Sequence, residues 1–363
     1  MAVSTISATG LAGSVSQLGK NLVRNGAMTV AQRGTLTARG PNNEYITTDG
    51  WAVSVGGSIQ ARFTTSQDSS APTGFGYSLK IDCTTAESTV AAGDRCDIRQ
   101  RIEAQTLQQL AYGVAGAKAI TLSFNFRSPK TGTHCVALFQ PDATRSQVKE
   151  FTIAVADTWE SFELTFSADA SGTITNDTGA GLHVVFPLFA GTNFHIAADT
   201  WAASEDYATS NQQNLMDNTA NNVQFSGVQL EVGSVATDFE HEPISVTLAK
   251  CLRYYQVIST ATTTATLGVG ACYTTSAAGV VQFLPVTMRA SPTLSISAVS
   301  DFQMSTDATT EVSSVAFDAA GAATPVPFLS GFWTVGSAAH TLNEAVRLRA
   351  KTDDAAIYLT AEL

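Results

Sequence analysis

Apolar and polar side chains alternate one for one between Ile120 and Arg127. Ile120, Leu122, Phe124 and Phe126 make one row, and Thr121, Ser123, Asn125 and Arg127 the other. A period of two belongs to a strand with one face in a core and the other in water. Phe162, Leu164 and Phe166 repeat the pattern against Ser161, Glu163 and Thr165. Further strands are predicted at Tyr77 to Cys83, Cys96 to Glu103, His134 to Phe139, Leu182 to Phe189 and Val223 to Val232, each bounded by Gly, Pro, Asp or Asn. Leu182 to Phe189 is apolar on both faces, which predicts a central position. With one helical turn expected near Thr106 to Leu110, about eight short strands at this spacing describe a jelly-roll β-sandwich. The predicted fold class is therefore all-β.

Composition agrees. Hydrophobic residues make up 44% of the 363-residue chain and charged residues only 14%, with abundant Ser, Thr, Ala, Gly and Asn, which suits the outer faces of strands. The net charge of −11 repels phosphate backbones, and no Lys/Arg cluster relieves it, so nucleic acid is not an expected partner. The cysteines at 83, 96, 135, 251 and 272 are odd in number and lack a Cys-x-x-Cys pair, and read as buried reduced thiols. No run approaches the roughly 20 apolar residues of a membrane span. Met1 to Gly19 lacks the charge and apolar core of an export signal, so release from the producing cell is expected by lysis.

Four segments are expected along the chain. Residues 1–20 form a sparse arm whose apolar residues, among them Val3, Ile6 and Leu11, suit docking on another surface. Residues 21–242 form the jelly roll. Residues 243–257 form a connector helix with Ile244, Leu248, Cys251 and Tyr255 at helical spacing, a stripe that must cover a hydrophobic surface. Residues 258–363 form a second, smaller β-sandwich that ends on the alternation Ile357, Leu359, Ala361, Leu363.

The chemistry is mostly negative. No nucleophile elbow, zincin helix, phosphate loop or calcium loop is present, and the histidines at 134, 183, 195, 241 and 340 stand singly. Asp199, Glu205 and Asp206 around Trp201, and Asp353 with Asp354, are acids close in sequence, which does not make the opposed pair a glycan-cleaving site needs. No catalytic residue, metal ligand or cofactor is assigned, and structural calcium is left open. The long polar connection from Gly191 to Asn222 is a candidate glycan contact: Trp201 and Tyr207 would stack on pyranose rings while Asp199 and Asn211 bond hydroxyls. A packing role, with Trp201 plugging the sandwich end and the loop lying on a neighbour, stays open beside it. Trp51 and Trp159, at strand starts, are expected in the core.

Several motifs carry a family resemblance. They are Asn21 to Met28 with Ala31-Gln-Arg-Gly34 and Asp49-Gly-Trp51, then Val223 to Glu240, Cys251-Leu-Arg-Tyr-Tyr255, Pro285 to Thr293 and the final Ala361-Glu-Leu363. Together they resemble the shared domain of tailed-phage virion proteins, a jelly roll similar to carbohydrate-binding modules. The resemblance implies a structural component of the virion, a tail fibre, tail tip or receptor-binding subunit. It also implies a homo-oligomer, expected to be a trimer, bound to other virion proteins and in contact with host surface polysaccharide. Leu248, Tyr254 and Tyr255 join Val3, Ile6 and Leu11 as candidate oligomer or docking residues. A capsid decoration protein or head fibre is the alternative, and a polysaccharide-degrading enzyme the third reading.

Overall fold

The computed structural model describes residues 19–40, 42–259, 262–307, 309–317, 328–336 and 340–363, with the side chains of 328–330 excepted. Val3, Ile6 and Leu11 lie outside the described residues.

The first body consists of β1 (Leu36–Arg39), β2 (Glu44–Tyr45), β3 (Trp51–Gly56), β4 (Arg62–Asp68), β5 (Ser78–Thr85), β6 (Arg95–Glu103), β7 (Ile120–Arg127), β8 (Gly132–Gln140), β9 (Arg145–Ile153), β10 (Glu160–Phe166), β11 (Ala180–Ala190) and β12 (Asn222–Val232). They form two six-stranded antiparallel sheets, ordered β1-β4-β5-β12-β7-β10 and β2-β3-β6-β11-β8-β9. The alternation on β7 and β10 is realised directly: Phe124 pairs with Phe162 and Leu122 with Leu164 across the ladder. β11 lies between β6 and β8 and is buried on both faces, as its double apolar character requires.

Between the sheets, Trp51 is fully buried with its ring 5.1 Å from Phe225 and 6.2 Å from Phe186. Phe124, Phe126 and Phe151 extend this aromatic layer. Removing that much apolar area from water at about 25 cal/mol per Å² is the main term holding the sheets together. Trp159 departs from expectation: it is only half-buried, just ahead of β10. The expected turn near Thr106 to Leu110 is present as two short helical turns, Ala104–Thr106 and Gln108–Leu110. Residues 233–243, which include Phe239, contain no strand and run as a loop.

One α-helix follows, α1 (Ile244–Leu252), and extended structure resumes at β13 (Tyr255–Ser259). The apolar stripe is split. Cys251 and Tyr255 are buried against the chain itself, whereas Ile244 and Leu248 face solvent.

The second body adds β14 (Thr266–Cys272), β15 (Ala277–Phe283), β16 (Thr293–Ile296), β17 (Phe302–Ser305), β18 (Thr309–Phe317), β19 (Phe328–Val335), β20 (Ala345–Ala350) and β21 (Ala356–Thr360). It is all-β as expected, but a closed barrel stands where a second sandwich was expected. β14-β15-β19-β18-β17-β20 form a closed barrel, because β14 pairs with both β15 and β20 and leaves no edge. β13-β21-β16 form a small sheet beside it. One core cluster, including Phe302, Met304, Trp333, Leu348, Ile357 and Leu359, serves both. All five cysteines are buried and unpaired.

Candidate functional site

Most of the motifs behind the family resemblance meet at the joint between the two bodies; Val223 to Glu240 lies within the first body. Two buried carboxylates organise it. Glu362, from the second body, lies 3.1 Å from the guanidinium groups of both Arg24 and Arg33 in the first. Glu103, at the end of β6 in the first body, receives Arg253 at 3.1 Å and Arg289 at 3.5 Å from the connector and second body. Each body thus offers one acid to two arginines of the other side. The paired tyrosines complete the lattice: Arg24 lies 3.8 Å over the Tyr254 ring and Arg33 3.6 Å over that of Tyr255.

Smaller motif residues serve the same joint. The Asp49 carboxylate accepts the Gln32 backbone N–H at 2.9 Å, and the Gln32 side chain donates to the Tyr255 carbonyl at 3.1 Å. Gly50 has φ +86°, and a Cβ there would meet Arg24 Nε at 2.7 Å, so only glycine leaves room for that arginine. Tyr45 Oη donates to the Leu363 carbonyl at 2.8 Å, and Arg289 donates to the Ala361 carbonyl at 3.0 Å. Tyr254 and Tyr255, expected at an oligomer contact, are instead buried within their own chain by these arginines. Leu248 remains exposed.

The same strand that supplies Glu103 carries a row of charges on its outer face: Arg95, Asp97, Arg99, Arg101 and Glu103 alternate with Cys96, Ile98, Gln100 and Ile102, which face inward. Sequence reading recognised the strand without this row. Arg101 reaches the joint by donating to the Leu363 carbonyl at 3.0 Å. Arg95 and Arg99 meet the long connection 191–221, which folds back over the sheet. Their guanidinium groups lie 5.0 and 4.9 Å from the Tyr207 ring. Phe194, Ile196, Tyr207 and Ala208 pack there on Phe139, Val148 and Val185 as a separate small core.

The four predicted glycan-contact residues are therefore placed as follows. Tyr207 is fully buried, with its hydroxyl on Glu205, so neither ring face is open to a sugar. Trp201 is partly buried against the main core, its indole N–H donating to the Ser167 carbonyl at 2.7 Å and its edge against Tyr112. Asp199 is exposed at φ +70° and pairs with Lys149. Asn211 donates to Glu150 at 3.0 Å. They bind the loop to the sheet it covers, and the loop lies on its own chain.

An open trough lies on the outer face of the other sheet, and sequence reading missed it. It measures about 460 Å³ and is lined by Phe75, Ser123, Asn125, Ser161, Glu163 and Phe239, among others. Ser161 and Asn125 are cross-strand partners, as are Glu163 and Ser123. The Ser161 hydroxyl donates to Asn125 Oδ1 at 2.6 Å. Half-exposed Phe75 and Phe239 meet edge to face at 4.9 Å, with His241 near 5 Å from both. Gly227, at φ +64°, permits this: a Cβ would strike the Phe75 ring at 2.6 Å. A polar floor beside aromatic rings has the chemistry of a pyranose contact. The one available signal was Gly227 interrupting an otherwise continuous strand.

No family model and no curated protein matches the chain. Among solved structures it is similar to the enzymatically active domain of bacteriophage CBA120 tailspike protein 4, at 12% identity over 59% of this chain and 21% of that one, with a TM-score of 0.30. It is also similar to a putative sugar-binding protein from Bacteroides thetaiotaomicron (13% identity, 58% and 99% covered, TM-score 0.33). A family 11 carbohydrate-binding module from Clostridium thermocellum gives 11% identity, 56% and 98% covered, and a TM-score of 0.28. This chain thus spans about a fifth of the tailspike's length. Likeness at these levels bears on neither activity nor ligand.

The joint yields a prediction. Glu103→Gln leaves two arginines facing a neutral amide, and removing one partner of a buried pair costs about 3 kcal/mol or more. Calorimetry should show one unfolding transition for the parent and two for the variant, the second body melting first. Acid should act in the same direction. Burial alone would raise the Glu103 carboxyl, but hydrogen bonds from Arg253, Gln105 and Tyr254 and the Arg253 charge hold it below the ordinary glutamate value. A carboxyl depressed in the folded state contributes stability above its unfolded value and loses it as pH falls toward the folded one. Coupling between the transitions should therefore fade below about pH 4.3, and fade less in the variant.

Proposed function

We propose that this chain is a non-catalytic structural subunit of a tailed-phage particle, of the tail-fibre, tail-tip or receptor-binding kind, working as one stiff two-body unit. The observation that carries the reading is the joint. The motifs that resemble phage virion proteins supply a lattice of arginines, acids and tyrosines between the bodies, not a converged set of reacting groups. Immunogold labelling of intact particles tests it. Label at the tail is expected. Label over the head would replace the reading with a decoration protein or head fibre, and release of reducing sugar from host envelope glycan by the purified chain would replace it with an enzyme.

Contact with host polysaccharide belongs to this reading, and the trough around Phe75 and Phe239 supports it better than the loop at Trp201. Rings beside hydroxyl, amide and carboxylate groups suit weak sugar binding that gains strength from several copies. Phe75→Ala with Phe239→Ala should lower retention on immobilised host polysaccharide at least tenfold, whereas Asn211→Ala should leave it unchanged. Equal retention by all three proteins would remove the trough from the proposal.

The proposed trimer draws on a different surface from Tyr254 and Tyr255. Val269, Tyr273, Val281, Phe283 and Phe332 are exposed on β14, β15 and β19 or immediately beside them, with Val269 opposite Val281 and Phe283 81% exposed. Apolar side chains grouped on one barrel face are what a second copy would cover. Light scattering should give three chains per particle for the parent and a monomer for Val281→Ser with Phe283→Ser. A monomeric parent at micromolar concentration would end the trimer proposal.

A further inference from the structure

Cys272, His340 and Glu344 bring a thiol, an imidazole and a carboxylate to one place in the second body. One donor atom of each lies within 4.8 Å of the other two. Cys272 ends β14, and the backbone ties it to the other segment: its N–H donates to the Glu344 carbonyl at 2.9 Å, and its own carbonyl accepts the Asn343 N–H at 2.7 Å. Cys272 and His340 are buried, at 1% and 6% exposure. From these residues we propose a zinc site, with Cys272 Sγ, one ring nitrogen of His340 and a Glu344 oxygen as ligands and a water in the fourth position.

The donor set selects the metal. Calcium and magnesium take oxygen ligands almost entirely, whereas thiolate, imidazole and carboxylate in fourfold geometry suit zinc. Zinc bonds of about 2.0 to 2.3 Å place neighbouring donors roughly 3.5 Å apart, so donors that lie within 4.8 Å of one another close by at most about 1.3 Å on binding. The supporting groups are present. His340 Nδ1 faces the Thr306 hydroxyl at 3.0 Å and Nε2 the Thr310 hydroxyl at 2.6 Å. Whichever nitrogen takes the ion, the other keeps a threonine that fixes the tautomer. Glu344 is oriented by the backbone N–H groups of Thr341 at 2.9 Å and Asp307 at 3.3 Å. Burial raises the Cys272 thiol, and the Glu344 charge adds to it. Occupied, the site would link the end of β14, the turn at 340–344 and the hairpin of β17 and β18.

The test uses the full chain freed of metal with a chelator, then titrated with zinc alone. Calorimetry should give one equivalent bound, and bound zinc should raise the melting temperature. Replacing zinc by cobalt(II) should produce a thiolate-to-metal charge-transfer band with the visible bands of a four-coordinate ion. Cys272→Ser, a near-isosteric change, should abolish the charge-transfer band, and one of Thr306→Val and Thr310→Val, the one facing the nitrogen that does not take the ion, should weaken zinc roughly tenfold. A charge-transfer band that survives Cys272→Ser, or no stoichiometric zinc binding by the folded parent chain, would overturn the proposal.

Discussion

Two buried carboxylates, each held between two arginines from the opposite side of the joint, fix how this chain is put together. Such pairs are weak sources of net stability, because taking a charge from water costs several kcal/mol and the partner largely offsets it. Their effect is directional. Glu103 and Glu362 have low energy only where both arginines of each set arrive together, so any other packing of the bodies leaves a buried charge unpaired. The tyrosine rings beneath Arg24 and Arg33 add to this by presenting flat faces that a displaced guanidinium would lose.

β6 carries that constraint across the molecule. Its inward row fills the sandwich core, while its outward row meets the second body at Arg101 and Glu103 and the covering loop at Arg95 and Arg99. A sheet face that would otherwise be an open hollow is thereby occupied by the chain itself. The consequence for function is spatial. With that face filled by Tyr207 and its neighbours, the open polar groups beside aromatic rings lie on the opposite sheet, where β7 and β10 present hydroxyl, amide and carboxylate groups to solvent.

What was legible in the sequence follows from range. The strand rows of β7, β10, β11 and β12 could be read because alternation is a property of adjacent residues. β4, written Arg62-Phe-Thr-Thr-Ser-Gln-Asp68, was missed because only one of its residues is strongly apolar, although Phe63 is fully buried. The arginines of the joint were visible inside their motifs. Their shared acid partners were not, since Arg253 and Glu103 lie 150 positions apart and Arg24 and Glu362 lie 338 apart. The glycan candidates were chosen on composition, which cannot distinguish an aromatic ring offered to solvent from one that closes a second core. Tyr207 is the second kind and Phe75 the first.

The same limit explains why the single histidines seemed uninformative. His183 and His340 look alike in sequence, each between apolar or small neighbours. In the fold, His183 lies against Arg99, and burial together with the charges of Arg99, Arg101 and Arg95 holds it far below its ordinary value, so it stays neutral within the charged row of β6. His340 instead meets two hydroxyls, one at each ring nitrogen, and lies close to a thiol and a carboxylate. The difference lies in what the sheets bring to each ring. The first histidine thus answers to the charged row of β6, while the second depends on closure of the barrel, where β14 and β17 are both paired with β20.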